Sequence, residues 1–201
     1  MELPIYKLII TDDDNIEVNC VSIVDEPAIQ SYAAYFSAEK PIEHKFQVIN
    51  EEKGIVGGYL MIADRPIMRV DKKTQQQYFV VLDKENINKA MVKFFRNGYQ
   101  NNVNIQHDPS KVVDGMTLYQ HFIIDRSLGI KAPKGFETEA DGSSFGFFKV
   151  DNPDIMELVK ANKFGFSIEG VFKQEPVLMV TPEEADTVMK ALKKLHDKKI
   201  I

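Results

Sequence analysis

Along most of this chain apolar and polar residues follow a period of two, and only a few stretches shift to the helical period near 3.6, so strands should outnumber helices. Pro4 to Ile10 (PIYKLII) and Glu17 to Val24 (EVNCVSIV) read as strands on either side of the polar turn TDDDN, Thr11 to Asn15. Phe46 to Ile49 and Gly54 to Ala63 make a strand pair around NEEK, and Gly57 and Gly58 inside the second run predict a bulge or a close backbone approach. Ahead of that pair, Ala28 to Phe36 has the spacing of a short helix, followed by a polar stretch with Pro41 and a surface His44. Asp64 to Met68 breaks the pattern, Arg69 to Lys73 is charged, and Tyr78 to Leu82 (YFVVL) resumes it as a strand.

Asp83 caps a helix running from about Lys84 to Asn97, with Ile87, Met91, Phe94 and Phe95 on its packed face and Gly98 at its end. Val103 and Ile105 then alternate with Asn102, Asn104 and Gln106, so Asn101 to His107 is a half-buried strand. With Asp108 to Gly115 as the turn and Met116 to Asp125 as the return strand, the expectation is a hairpin with His107 at its tip. Arg126 to Gly142 reads as a mobile, turn-rich loop, and Ser144 to Val150 as a strand. Asp151 to Asp154 (DNPD) opens a helix whose apolar face is Ile155, Met156, Leu158 and Val159. That helix leads into KANKFGFSIEGVF, Lys160 to Phe172, an apolar strand in which Ser167 and Glu169 share one face and Phe166 and Ile168 the other. A short strand, Pro176 to Val180, precedes a last helix opened by Thr181, Pro182, Glu183 and Glu184.

Composition adds bounds rather than function. The 201 residues are 44% hydrophobic and 27% charged, enough for one domain with a sizeable core. No apolar run approaches the roughly 18 residues of a membrane span, and the start MELPIYKLIITDDD lacks the pattern of a signal peptide, so no membrane partner and a cytoplasmic location are expected. A formal net charge of -5 argues against a general nucleic-acid binder. The single cysteine, Cys20, excludes an internal disulfide. The four histidines, His44, His107, His121 and His196, show no metal-ligand spacing, and TDDDN lacks the glycine and distal glutamate of a calcium loop, so neither metal nor cofactor is expected. Lys190 to Lys199 gives the C-terminal helix a basic end, read first as a solvated face.

Three segments carry a resemblance. NGYQNNVNIQHDP, MTLYQHFIID and FGFFKVDNPDIMELVKANKFGFSIEGVF, with VSIVDEPAI near the start, are similar to the prohead proteases of tailed bacteriophages, in the branch found also in defective prophages. The similarity spans roughly Gly54 to Phe172 and is most specific at GFSIEG. Those enzymes are serine proteases that mature capsids, with a fold like that of herpesvirus assemblin. The resemblance implies an α+β fold in which a mostly antiparallel, barrel-like sheet is surrounded by helices. It implies a catalytic domain over residues 1–180, followed by a basic helix over 181–201.

Carried over by position, the resemblance makes Ser167 the nucleophile and His107 the general base. Such a pairing is chemically sound, because an imidazole with a pKa near 6.5 can take the hydroxyl proton and return it to the leaving amine. The third member stays open between Glu169, which shares the face of Ser167, and His121 or Asp125. Relatives usually have Glu-Ser where this chain has Gln120 and His121. Oxyanion donors are not assigned, although amides beyond Ser167 or in the Arg126 to Gly142 loop are candidates. The implied substrates are a phage scaffolding protein and the major capsid protein, cut inside an immature head in the host cytoplasm, with self-association or autocleavage as further options. The rival expectation is a catalytically inactive capsid-assembly component of the same fold.

Overall fold

The computed structural model describes residues 3–25, 47–71, 73–137, 140–161 and 164–180. The expected helices at Ala28 to Phe36 and after Thr181, with His44, His196 and the basic run Lys190 to Lys199, lie outside the described residues.

The chain is α+β and dominated by strands. Among the described residues twelve strands form three four-stranded sheets. The first joins β1 (Leu3–Ile9), β6 (Gln77–Val81), β5 (Ile67–Val70) and β12 (Lys173–Val180) in the order β12-β1-β6-β5. In the second, β3 (Gln47–Asn50), β4 (Ile55–Met61), β10 (Ser144–Val150) and β9 (Met116–Ile123) follow in that order. The third has the order β11-β2-β7-β8, from β2 (Val18–Val24), β7 (Val103–Ile105), β8 (Asp108–Val112) and β11 (Gly165–Gly170). Pairing is antiparallel except for β1 with β6 and β2 with β7, which run parallel. Among the described residues the ladders stay in these three sheets and close no barrel.

One apolar core serves all three. It takes Leu8 and Val80 from the first sheet, Val56, Leu118 and Phe148 from the second, and Val21, Ile23, Val103 and Phe166 from the third. Helix α1 (Lys84–Arg96) closes it with Ile87, Ala90, Met91 and Phe94. The helix starts where expected, because the Asp83 carboxylate accepts the Asn86 backbone N–H at 2.8 Å. Asn86 is itself buried, and its side-chain oxygen accepts from Ile10 N, tying the helix to the end of β1. The TDDDN turn also has its occupant: Lys93 Nζ donates to the carbonyls of Thr11, Asp13 and Ile16. A second, smaller cluster packs Tyr59, Phe136 and Phe145.

Two expectations are corrected. Ile67–Val70 is a strand, paired with β6 as a hairpin, with Ile67 packed against the core even though charges follow it. Asp108 to Gly115 is not a turn between Asn101–His107 and Met116–Asp125. The chain reverses already at Gln106 and His107, both with φ 56°, and Asp108–Val112 is the return strand β8 beside β7. Two successive left-handed residues are the signature of a type I′ hairpin loop, which a Gln-His pair does not advertise as Asn-Gly would. Strand β9 belongs to the second sheet. The close approach predicted for Gly57 is present, since a Cβ there would lie 3.0 Å from Ile49 and from the Phe147 ring.

Candidate active site

The site is built on the third sheet. Strand β2 runs through it with β11 on one side and β7 on the other, in the register Ser167 to Ser22 to Asn104. Side chains of paired residues point to the same face, so these three form a row, and Glu169 and Cys20 continue it two residues along β11 and β2. The opposite face carries Phe166, Ile23, Val21, Val103 and Ile105 and is packed into or against the core. Alternation in FGFSIEG, VSI and VNI therefore assigns the polar residues to one side of one sheet.

His107 reaches this row from the β7–β8 turn. Its backbone N–H donates to Ser22 Oγ at 2.8 Å, and Ser22 is fully buried. Its ring Nδ1 lies 3.2 Å from Glu169 Oε1. The same carboxylate oxygen accepts Asn104 Nδ2 at 2.6 Å. Asn104 and His107 can reach Glu169 across β2 because β2 offers only Ser22 and Cys20 there, two small side chains that leave a trough. A proton on Nδ1 would face this carboxylate, which would leave Nε2 as the nitrogen able to accept one. Asn104 Oδ1 is buried without a hydrogen-bond partner among the described residues.

Ser167 sits in the same row as this pair. Its Cα is paired with that of Ser22, whose hydroxyl holds the His107 amide, and it makes no hydrogen bond with His107. The serine is 3% exposed, whereas the His107 side chain is 45% exposed. A cavity of about 730 Å³ opens on His107 and Glu169, walled by Arg69 and Tyr78 of the first sheet and by Ile168 and Phe172. Cys20, paired with Glu169, has its thiol pushed up to about 11, first by burial and then by the neighbouring carboxylate. It is a thiol near neutrality and no rival nucleophile.

The other two candidates for the third position lie elsewhere. His121 is on β9 in the second sheet, its Nε2 2.9 Å from Ser144 Oγ and its ring 5.2 Å from that of Phe95. Burial presses its pKa down to about 4, so it is neutral at ordinary pH. Asp125 caps the short 3-10 turn Arg126–Leu128, accepting from Ser127 and Leu128 amides and from the Ser127 hydroxyl. Those bonds hold its carboxyl below the usual range. Both line a different cavity, of about 880 Å³, between β9, α1 and the loop after Asp125. Loop residues Ser127, Leu128, Asp141 and Gly142 line it too, and none of them borders the His107 cavity. Of the three, Glu169 is the one brought to His107.

Ser22 and Asn104 are the contributors that motif reading passed over. Their signal was present as polar residues interrupting apolar strands, but which strand would lie between β11 and β7 was not. Among the described residues no group of three acidic, histidine or cysteine side chains is placed to hold a metal ion, and no helix is long and apolar enough to cross a membrane. No protein-family model, curated protein or solved structure matches this chain.

Proposed function

We propose that the chain is a serine endopeptidase of the capsid-maturation kind, with Ser167 as nucleophile, His107 as general base and Glu169 orienting the base. The observation that carries this reading is the 3.2 Å approach of His107 Nδ1 to Glu169 Oε1 on the sheet face that also bears Ser167. In the proposed reaction Ser167 Oγ attacks the peptide carbonyl and gives its proton to His107 Nε2. His107 then hands that proton to the departing amine, leaving an ester on Ser167. Water attacks the ester after losing a proton to Nε2, the acid product leaves, and the proton returns to Ser167 Oγ. Glu169 stabilises the imidazolium at each stage, and acid–base help of this kind contributes about 10² to 10⁴ in rate. Because Ser167 is 3% exposed, acylation requires its hydroxyl to become more accessible. Scaffolding and capsid proteins are the proposed substrates, on the strength of the motif resemblance.

A second reading is favoured by that same burial. Ser167, Ser22 and Asn104 are 0–4% exposed, as expected of a polar lock inside a non-catalytic assembly protein. The two readings separate in one experiment. The purified protein is treated with a fluorophosphonate probe and, in parallel, with cognate scaffolding and capsid proteins. The protease reading expects labelling and cleavage that disappear in Ser167→Ala and His107→Ala. Cleavage undiminished by Ser167→Ala overturns the assignment, and a folded, inert wild type supports the structural lock.

A further inference from the structure

The wall of the cavity beside His107 holds a cation, Arg69, that makes no ion pair among the described residues. Arg69 lies on β5, opposite Tyr78 in the β5–β6 hairpin, and forms part of the cavity wall. Its side chain is partly buried, and that burial lowers its pKa. Among the described residues its one hydrogen bond is from Nη1 to the carbonyl of the adjacent Met68, at a long 3.4 Å, and it makes no ion pair. A guanidinium presents five N–H donors in a planar fork, so most of this fork is unused. Glu169 borders the same cavity but directs Oε1 to Asn104 and His107 and forms no ion pair with Arg69. A desolvated cation is retained in a protein at a cost that a bound anion removes.

The rest of the cavity narrows what that anion is. Leu8, Val80, Ile168 and Phe172 give it apolar walls suited to the methylene stem of an acidic side chain, and the fork matches a carboxylate with two parallel bonds. Strand β11 stands at the edge of its sheet and borders the cavity through Ile168, Glu169 and Gly170, so an extended peptide has a backbone to pair with. We propose that Arg69 is a specificity-determining residue that receives the carboxylate of an Asp or Glu in the peptide substrate, at a fixed offset from the bond presented to His107. This rests on the protease reading above for its consequence in cleavage, but the recognition of an acidic peptide stands apart from catalysis.

Two arms keep the failures distinct. In the first, wild type and Arg69→Gln are given an equimolar library of decapeptides containing matched Glu/Gln and Asp/Asn positions, and products are read by mass spectrometry. Wild type should cut peptides with an acid at one subsite about ten-fold or more faster than their amide twins. Arg69→Gln should lose that preference, cutting acid and amide twins at one common rate, and Arg69→Lys should keep part of it. In the second arm, the same library is passed over immobilised Ser167→Ala protein, with and without Arg69→Gln. Retained peptides should be enriched in Asp and Glu, and the enrichment should vanish with Arg69. Equal treatment of acid and amide peptides by wild type, or a preference that survives in a folded Arg69→Gln, overturns the inference. If nothing is cleaved but acidic peptides are retained through Arg69, the catalytic reading falls and this one stands.

Discussion

Gln106→Gly tests how His107 is held. Gln106 and His107 both sit at φ 56°, in the left-handed region, and the Gln106 side chain is exposed. A non-glycine residue there costs about 1–2 kcal/mol, and glycine removes that cost while adding about 0.5–1 kcal/mol of unfolded-chain entropy. The net expectation is a gain of about 0.5–1 kcal/mol, and Gln106→Asn should gain a similar amount because Asn tolerates this conformation without the added freedom. The strained turn is now held by Gln106 N donating to Ile23 O at 2.9 Å and by His107 N donating to Ser22 Oγ. Neither bond involves the Gln106 side chain, so the substitution leaves both in place. Urea denaturation followed by circular dichroism gives the stability, with an unchanged m-value as the control for a two-state comparison. A loss of stability beyond about 0.5 kcal/mol in both variants would refute the reasoning, because it would mean that the Gln side chain, not the backbone hydrogen bonds, holds the loop.

Further outcomes follow from the same geometry. Glu169→Gln keeps an acceptor for Asn104 but removes the charge facing His107, and under the proposed protease reading kcat should fall about 10²- to 10⁴-fold with little change in KM; a kcat within a factor of three would remove Glu169 from the proposed mechanism. Gly170→Ala should destabilise by about 3 kcal/mol, since the new Cβ would stand 2.2 Å from Glu17 O and 2.8 Å from Val18 Cα, both backbone atoms. A melting temperature unchanged from wild type would show that the β2–β11 contact is looser than described. For His121 the folded pKa of about 4 lies below the unfolded 6.5, so the unfolded chain binds the proton first. The neutral form's contribution is complete above pH 6.5 and is lost as the pH falls from 6.5 toward 4, amounting to at most about 3 kcal/mol. Unfolding free energies between pH 7 and 4.5 should therefore drop less in His121→Gln than in wild type, and parallel curves would contradict the burial assigned to this ring.

Strand and helix content were legible because their physics is local. The cap at Asp83, the helix opening DNPD, the run YFVVL and the alternation of FGFSIEG each depend on residues a few positions apart, and each element formed. Ile67–Val70 escaped because a four-residue strand flanked by charges has no periodicity to speak of, and its identity comes from pairing with β6. The turn at Gln106 and His107 escaped because its left-handed conformation is imposed by the strands on either side. The same cause misplaced His121: with β8 interposed, the strand carrying it pairs with β10 in another sheet.

At the candidate site the division is equally physical. From the sequence alone came the polar face of the Ser167 strand and the sharing of that face by Ser167 and Glu169, since period-two alternation is a short-range property. Only the tertiary structure decided that β2 lies between β11 and β7. That order puts Ser22 under the His107 amide, lets Asn104 cross a trough of small side chains to Glu169, and sets Arg69 from a different sheet against the same cavity. Contacts between residues 65 to 85 positions apart are chosen by how apolar faces share one core, and no local pattern encodes that choice.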